Sequence, residues 1–415
     1  MQWGLLQVGA PAAWTASTGS GITVGVVDSG IDAAHEDLPG KVVDGVDCVG
    51  SNGNPAQCTT GGTTDPIGHG THVAGIIAAV TNNGIGVASM APDAHLLSAR
   101  AVSSDGSGTD ADVGAAIRWV VDHGASVVNL SLGAEGSSRV AFGPGFASAV
   151  EYAWSHGAVP VAAAGNSAQT PNFGSLHMIV VAATTPTGQL ASYSNHVDNA
   201  RWGVAAPGGA SDGNPYDDVV STYPGNTYAT IAGTSMSAAH VSGAVALLRA
   251  KGYSADDAVQ RLVTTAVSCG GCGSGRIDAA AAVGAGPAPP PAVPPGGGGA
   301  GSAPPGSPTV LGPAPKARPA SGGQPRSATP RSTTAPTSAA VTAPPTSPPT
   351  TTSPSGPADV ALGSPWPGSV EVNNAPGAGS GSSSRLVPVG LALTGLVGAG
   401  TAVALRAWRV RQQGT

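Results

Sequence analysis

Residues 21–30, GITVGVVDSG, form a continuous apolar run that ends in an acid, Asp28, and a glycine. A strand that does not alternate polar and apolar residues is typical of a parallel sheet covered on both faces. Similar runs recur along the chain: AHLLSARAV (94–102), ASVVNLSLG (125–133), AVPVAAAGN (158–166), MIVVAAT (178–184) and WGVAAPG (202–208). Helical patterns alternate with them: HGTHVAGIIAAV (69–80), DADVGAAIRWVVDHG (110–124), FASAVEYAWSHG (146–157), SMSAAHVSGAVALLRAKG (235–252) and SADDAVQRLVTTA (254–266). This order predicts an α/β fold with a mostly parallel sheet flanked by helices on both faces.

Polar residues end two of the predicted strands. Asp28 ends the first one, and Asn166 ends AVPVAAAGN. Ligands of parallel sheets bind at the carboxyl ends of the strands, so we expect the functional site at this edge.

The composition changes sharply after residue 285. Residues 1–285 carry 21 Asp and Glu against 9 Lys and Arg, whereas residues 286–415 carry 2 against 8. An acidic globular part without basic clusters argues against a nucleic-acid partner. Residues 286–384 are rich in Pro, Gly, Ser and Thr, and we expect a disordered linker because such a segment buries too little apolar surface to fold.

A transmembrane helix is expected over residues 385–406. Leu386 to Leu405 are 20 residues without a charge, about 30 Å of helix, which matches the thickness of a bilayer core. Arginines are more numerous on its C-terminal side, so residues 407–415 are expected to be a short cytoplasmic tail and the globular part to be extracellular. A buried core helix is the alternative, but no further domain follows to bury it. The N-terminal stretch MQWGLLQVGAPAAW lacks the features of a signal peptide, and we expect a leader and a prosegment outside this chain.

Four cysteines allow three connectivities. Pairing between sequence neighbours, Cys48 with Cys58 and Cys269 with Cys272, is favoured in an exported protein. Two alternatives remain open: CGGC could be a redox pair, although no thioredoxin-like βαβ pattern surrounds it, and four cysteines could hold zinc.

The stretch GTSMSAAH (233–240) contains a serine at a predicted helix start. A nucleophilic serine needs a base, a carboxylate that orients the base, and donors for an oxyanion. His69 in GHGTHVAG, Asp28, Asn166 and the backbone N–H of Ser235 could supply them. Each residue also has an ordinary structural reading, such as a helix cap or a turn. His69 and His72 could instead bind a metal, but the Glu of an HExxH motif is absent.

The chain resembles the subtilisin-type serine peptidases (subtilases) in five motifs that occur in the same order: VVDSG, GHGTHVAG, NLSLG, AAAGN and GTSMSAAH. The resemblance extends over roughly residues 2–283 and is strongest to the thermitase-like branch. The resemblance implies that Ser235 attacks the scissile carbonyl, His69 transfers the proton, Asp28 holds the imidazole and Asn166 stabilises the oxyanion. It implies a peptide-binding edge and a first specificity pocket with room for an apolar side chain, formed by Gly106, Ser107, Gly108, Ser131, Leu132, Gly133, Ala164 and Gly165. Polypeptide substrates, no cofactor for catalysis and a monomeric enzyme are expected.

Calcium is the second implication of the resemblance. VTNNGIGV (80–87) is similar to the calcium loop of the family, although the chain begins too late to supply an N-terminal ligand. The matching oxygen ligands are the side chains of Asp37 and Asn83 and the carbonyls of Val80, Ile85 and Val87. The alternative is an Asn-Gly surface turn. The loop that corresponds to a second, thermitase-type calcium site is longer here and carries Cys48 and Cys58, so a disulfide could replace the metal there.

The leading hypothesis is a membrane-tethered, extracellular serine endopeptidase. Its anchored architecture is similar to that of mycosins, which are anchored subtilases. One alternative is a catalytically weak or silent surface protein that binds peptides in the cleft. The other is an acyl-transferring, transpeptidase-like subtilase, because Ala239 occupies a position that is usually proline in the family and lies in the helix that carries Ser235.

Overall fold

The computed structural model describes residues 2–132 and 143–285 and a two-residue strand at 310–311. The strands are β1 (Thr23–Asp28), β2 (Val42–Asp47), β3 (Thr59–Thr60), β4 (His95–Arg100), β5 (Val127–Leu130), β6 (Val159–Ala163), β7 (Ile179–Thr184), β8 (Trp202–Pro207), β9 (Val219–Tyr223), β10 (Thr227–Ile231) and β11 (Val310–Leu311). The α-helices are α1 (Trp3–Gln7), α2 (Ala10–Ala13), α3 (His69–Ala78), α4 (Asp110–Asp122), α5 (Pro144–Ser155), α6 (Thr234–Ala250), α7 (Ala255–Thr264) and α8 (Ala279–Val283), and a short 3-10 helix spans Pro55–Gln57.

The main sheet has eight strands in the order β3-β2-β4-β1-β5-β6-β7-β8. Strands β2, β4, β1, β5, β6, β7 and β8 are parallel, and only the short edge strand β3 is antiparallel. The predicted α/β fold with a mostly parallel sheet is therefore confirmed. The apolar runs predicted as strands form β1, β4, β5, β6, β7 and β8.

Helices cover both faces of this sheet. One hydrophobic cluster contains residues of α3 and α6, and the other contains residues of α4 and α5. Helix α6 is buried along nearly its whole length, from Thr234 to Leu248, because it packs on β5 to β8 and on α3. On the opposite face α4 lies so close to β1 that a Cβ on Gly25 would come within 2.6 Å of the Val120 Cβ.

A smaller antiparallel sheet, β9-β10-β11, was not expected from the sequence. Strands β9 and β10 form a hairpin whose turn contains Gly225 and Asn226, both with positive φ (78° and 59°). Gly and Asn are the residues that tolerate this conformation. The third strand, β11, lies inside the segment predicted to be a linker and pairs with β10.

Both predicted disulfides are present, Cys48–Cys58 with an S–S distance of 2.06 Å and Cys269–Cys272 with 2.11 Å. All four cysteines lie in the described part of the chain and none of them is a free thiol, so the alternative of four thiolates that hold zinc does not apply to this structure. A Cys269–Cys272 disulfide is also the oxidised form of a redox pair, so that alternative is not tested by the structure.

Within residues 2–132 and 143–285, no helix is long and apolar enough to cross a membrane. The predicted membrane helix (385–406), the tail (407–415) and the linker apart from β11 lie outside the described residues.

Candidate active site

Asp28 and His69 form a hydrogen-bonded pair at the carboxyl edge of the sheet, in which Asp28 is buried and His69 is partly exposed. Asp28 is the last residue of β1 and is 1% exposed, and His69 is the first residue of α3. The His69 Nδ1 atom lies 2.8 Å from Asp28 Oδ1, which also accepts the Ser29 N–H at 2.7 Å. A neutral imidazole that donates its Nδ1 proton to a carboxylate keeps Nε2 as its basic nitrogen.

The pKa of His69 is raised above its ordinary value of 6.5. Burial by itself lowers this pKa, but the charge and the hydrogen bond of Asp28, with a further contribution from the charge of Asp65, outweigh the effect of burial. Stabilisation of the imidazolium is the property that a proton-accepting base requires.

Asp65 holds the segment that carries His69, and the sequence interpretation missed it. Its Oδ1 atom accepts hydrogen bonds from Ser29 Oγ (2.8 Å) and the N–H groups of Ile67 (3.0 Å) and Gly68 (2.8 Å). Its Oδ2 atom accepts from the N–H (2.8 Å) and the hydroxyl (2.7 Å) of Thr71. The carboxylate thus holds the turn that precedes α3 and the first turn of that helix. An acid four residues before His69, at an Asp-Pro step, was the available signal.

His72 does not share a site with His69. It is fully buried, and its Nε2 atom donates to the carbonyls of Val219 and Ala229, each at 3.1 Å. Burial lowers the pKa of His72 to about 3, so the ring is neutral and ties α3 to the β9–β10 hairpin. The alternative of a metal bound by this histidine pair is not supported.

Ser235 lies in the first turn of α6 and contacts the end of β5. Its hydroxyl donates to the Ser131 carbonyl at 3.1 Å, and the Ser131 hydroxyl donates to the Ser235 carbonyl at 2.8 Å. Strands β1 and β5 pair with Val26 opposite Asn129, so Asp28, the last residue of β1, and Ser131, the first residue after β5, lie at the same level. The Asp28–His69 pair and Ser235 are thereby brought to one edge of the sheet. A hydroxyl has one proton, so Ser235 must rotate away from Ser131 to give that proton to a base.

Asn166 is oriented by the residue that precedes Ser235. Its Oδ1 atom accepts the Thr234 N–H at 2.9 Å and the Thr234 hydroxyl at 3.0 Å, and the same hydroxyl accepts the Gly165 N–H at 3.0 Å. Because the amide oxygen is used in this way, the Asn166 NH₂ group is the end that can donate to a ligand. The sequence interpretation also missed this role of Thr234, because it treated Gly233 and Thr234 only as the turn that precedes Ser235.

The residues expected to bind a peptide lie around this edge. Ser131 and Leu132 follow β5, and Ala164 and Gly165 follow β6, with Gly165 at φ 96°. Gly106, Ser107 and Gly108 lie in the loop between β4 and α4, where the Ser107 carbonyl accepts the Ser103 N–H at 2.8 Å. Gly133 lies outside the described residues. The role of all these residues towards a substrate stays a prediction.

The residues expected to hold calcium surround Asp37, which is fully buried. Its carboxylate accepts Asn83 Nδ2 at 2.6 Å and the Val87 N–H at 2.8 Å, and its carbonyl accepts the Val80 N–H at 2.9 Å. Burial raises the pKa of Asp37. In the described ranges no three His, Cys, Asp or Glu side chains cluster as metal ligands. One buried carboxylate with amide and carbonyl oxygens still fits the chemistry of Ca²⁺, provided that Asn83 turns its amide oxygen, which accepts the Ile85 N–H at 3.1 Å, towards the ion.

A family model, related sequences and a solved structure were compared with this chain, and their results agree with one another. The family model described as the Subtilase family (Peptidase_S8) matches residues 19–292. Thermitase of Thermoactinomyces vulgaris is 40% identical over 292 residues, which cover 68% of this chain and 95% of thermitase. Subtilisin BL of Lederbergia lenta is 39% identical over 289 residues, 68% of this chain and 97% of that protein. A solved protease structure from Pseudoalteromonas arctica PAMC 21717 matches with a TM-score of 0.59 and 32% identity, and the match covers 68% of this chain and 96% of that one.

Proposed function

The chain belongs to the subtilase family of serine peptidases, and we propose that Ser235, His69 and Asp28 are the catalytic triad of an endopeptidase that cleaves polypeptides through an acyl-enzyme. The observation that carries this proposal is the 2.8 Å contact between His69 Nδ1 and Asp28, because a ring that donates from Nδ1 has Nε2 as its basic nitrogen. The contact of Ser235 with Ser131, next to the end of the strand that neighbours β1, supports including Ser235 in the same site.

In the acylation step, His69 Nε2 takes the proton of Ser235 Oγ while this oxygen bonds to the scissile carbonyl carbon. The carbonyl oxygen becomes an oxyanion, and Asp28 stabilises the imidazolium without taking its proton. When the intermediate collapses, the C–N bond breaks and the Nε2 proton moves to the leaving amine. Water repeats the same sequence on the acyl-enzyme and releases the second product with the Ser235 hydroxyl restored.

The proposed oxyanion donors are the Asn166 NH₂ group and the Ser235 backbone N–H. Thr234 connects them, because it precedes Ser235 in the chain and binds the Asn166 amide oxygen through two hydrogen bonds. An oxyanion exists only in the transition state and the tetrahedral intermediate, so this interaction contributes to kcat rather than to substrate binding.

A fluorophosphonate probe tests the proposal. The native enzyme is expected to form one covalent adduct, on Ser235, and Ser235→Ala is expected to lose the adduct and peptide cleavage together. Absence of the adduct from the folded native enzyme would favour the alternative, a silent protein that binds peptides. Asn166→Ala is expected to keep the adduct and lower kcat by roughly 10²–10³ with little change in KM. A rise in KM at unchanged kcat would place Asn166 in ground-state binding.

We further propose that the enzyme is tethered to the cell membrane as a monomer, with the catalytic domain outside and a short tail inside. Support comes from the 20 uncharged residues of Leu386–Leu405 and the arginines that follow them. Brief digestion of intact cells should cut the linker and release a soluble, active fragment. Activity that stays protected inside the cells contradicts this orientation, and dimer-sized particles in light scattering of the fragment contradict the monomer.

Calcium is proposed as a structural ion. Asp37 and Asn83 and the carbonyls of Val80, Ile85 and Val87 would hold it, and it would compensate the buried charge of Asp37. The reaction needs no cofactor in this proposal.

A further inference from the structure

Asn195 is buried beside the turn that carries Asn166, although the two residues are far apart in sequence. It lies in the irregular segment after β7 and is only 2% exposed. The turn itself, residues 164–169, contains two positive φ angles, 96° at Gly165 and 53° at Ala168. Alanine adopts such a φ rarely, so the surrounding contacts must hold the turn in place.

Asn195 supplies four of those contacts. Its Nδ2 group donates to the Ala164 carbonyl at 2.8 Å, and its backbone N–H donates to the Gly165 carbonyl at 2.9 Å. Its Oδ1 atom accepts the N–H groups of Ser167 at 3.2 Å and Gln169 at 2.8 Å. The side chain thus bridges the residues on both sides of Asn166.

Only a carboxamide of this length meets the demand of the site. Two N–H groups and one carbonyl converge on the side chain, so it must donate at one end and accept at the other. An aspartate would keep both accepted bonds but would turn a second oxygen towards the Ala164 carbonyl. An alanine would leave polar backbone groups without their partner.

We propose that Asn195 is a positioning residue for the oxyanion donor Asn166 and for the pocket wall at Ala164 and Gly165. Thr234 holds the amide of Asn166 from the side of α6, and Asn195 holds the backbone around Asn166 from the side of the segment after β7. This inference rests on the proposed role of Asn166 in the oxyanion site. Asn195 itself does not contact the reacting atoms.

The test is a double-mutant cycle between Asn195→Ala and Asn166→Ala. Active-site titration with the fluorophosphonate probe counts the folded enzyme in each preparation. Asn195→Ala alone is expected to lower kcat on the order of tenfold, because small displacements of a catalytic group cost this much or more. In the Asn166→Ala background the same change should lower kcat less than twofold, since the donor that Asn195 positions is gone. An equal fold-loss in both backgrounds overturns the inference.

Matched variants separate this role from a general loss of stability. Asn199 lies on the same segment, and its exposed amide donates to the Pro171 carbonyl at 2.8 Å, outside the turn. Asn199→Ala should leave kcat unchanged. If Asn195→Ala does not fold, Asn195→Asp is the substitute, because it keeps both accepted bonds and replaces only the bond to Ala164, with an unfavourable oxygen–oxygen contact. The same non-additivity is expected. If Asn166→Ala itself does not lower kcat, the proposed function of Asn166 fails; if it does and the cycle is additive, only the role of Asn195 fails.

Discussion

Replacement of Thr234 by valine removes one hydroxyl from the centre of the proposed oxyanion site and keeps the shape of the side chain. Two hydrogen bonds are lost, from Gly165 N–H to the hydroxyl and from the hydroxyl to Asn166 Oδ1, both at 3.0 Å. The bond from the Thr234 N–H to Asn166 Oδ1, at 2.9 Å, remains. Asn166 therefore keeps its average position, but its amide oxygen retains only one of the two hydrogen bonds that it accepts from Thr234.

The loss of these hydrogen bonds should change both the melting temperature and kcat. Gly165 is buried, and a buried N–H group that loses its partner costs about 1–3 kcal/mol. In a domain of this size each kcal/mol corresponds to about 2–4 °C, so the melting temperature should fall by roughly 2–12 °C. The value of kcat should fall on the order of tenfold, less than for Asn166→Ala, because the oxyanion donor is loosened and not removed.

The assay measures melting temperature and the kcat and KM of a peptide amide, with the active enzyme counted by titration. Thr234→Ser is the matched control, because its hydroxyl can make both bonds, and its kcat should stay close to that of the native enzyme. If Thr234→Val has the kcat of Thr234→Ser, or raises KM alone, Thr234 does not position the oxyanion donor and the reasoning is refuted.

Three further predictions concern the base, the metal and the helix of the nucleophile. Asp65→Asn should lower the pKa of His69, because the charge of Asp65 raises this pKa. His69 must be neutral to accept a proton, so the acidic limb of the pH profile of kcat/KM should move to lower pH. An acidic limb that moves to higher pH contradicts the assignment. Removal of calcium by a chelator should lower the melting temperature and speed autolysis, and Asp37→Asn should abolish this effect of the chelator. A melting temperature that does not change with the concentration of free calcium refutes the site. Ala239→Pro should raise the ratio of amide to ester hydrolysis and reduce acyl transfer to added amines, because proline would disturb the first turns of α6. If the amide-to-ester ratio and the acyl transfer are both unchanged, Ala239 is a neutral departure from the family pattern.

The sequence sufficed for the architecture and for the residues with a local signature. Apolar runs predicted the parallel strands, since burial on both faces removes polar residues from them. Asp28, at the end of such a run, and His69, at the start of a helix between glycines, are found where the pattern placed them. The two disulfides followed from short separations between the cysteines.

Residues that act through distant partners could not be found in this way. Asp65 binds Ser29, Thr234 binds Asn166 and Asn195 binds Ala164, at separations of 36, 68 and 31 residues. No spacing rule connects such positions, because the partners meet only after the sheet has assembled. The hydrogen bond from the Ser235 hydroxyl to the Ser131 carbonyl is of the same kind. The β9–β10 hairpin was missed because its strands are only partly buried and therefore lack a continuous apolar run.

The most direct test of the central claim, that Ser235 and His69 act as one catalytic unit, is kcat/KM for a peptide amide in Ser235→Ala, His69→Ala and the double variant. A shared proton transfer predicts that each single substitution removes nearly all of the activity and that the double variant loses no more than either one. Residual cleavage should be equal in all three. Substantial turnover in Ser235→Ala, or losses that multiply in the double variant, would show that the two residues act separately and would contradict the account.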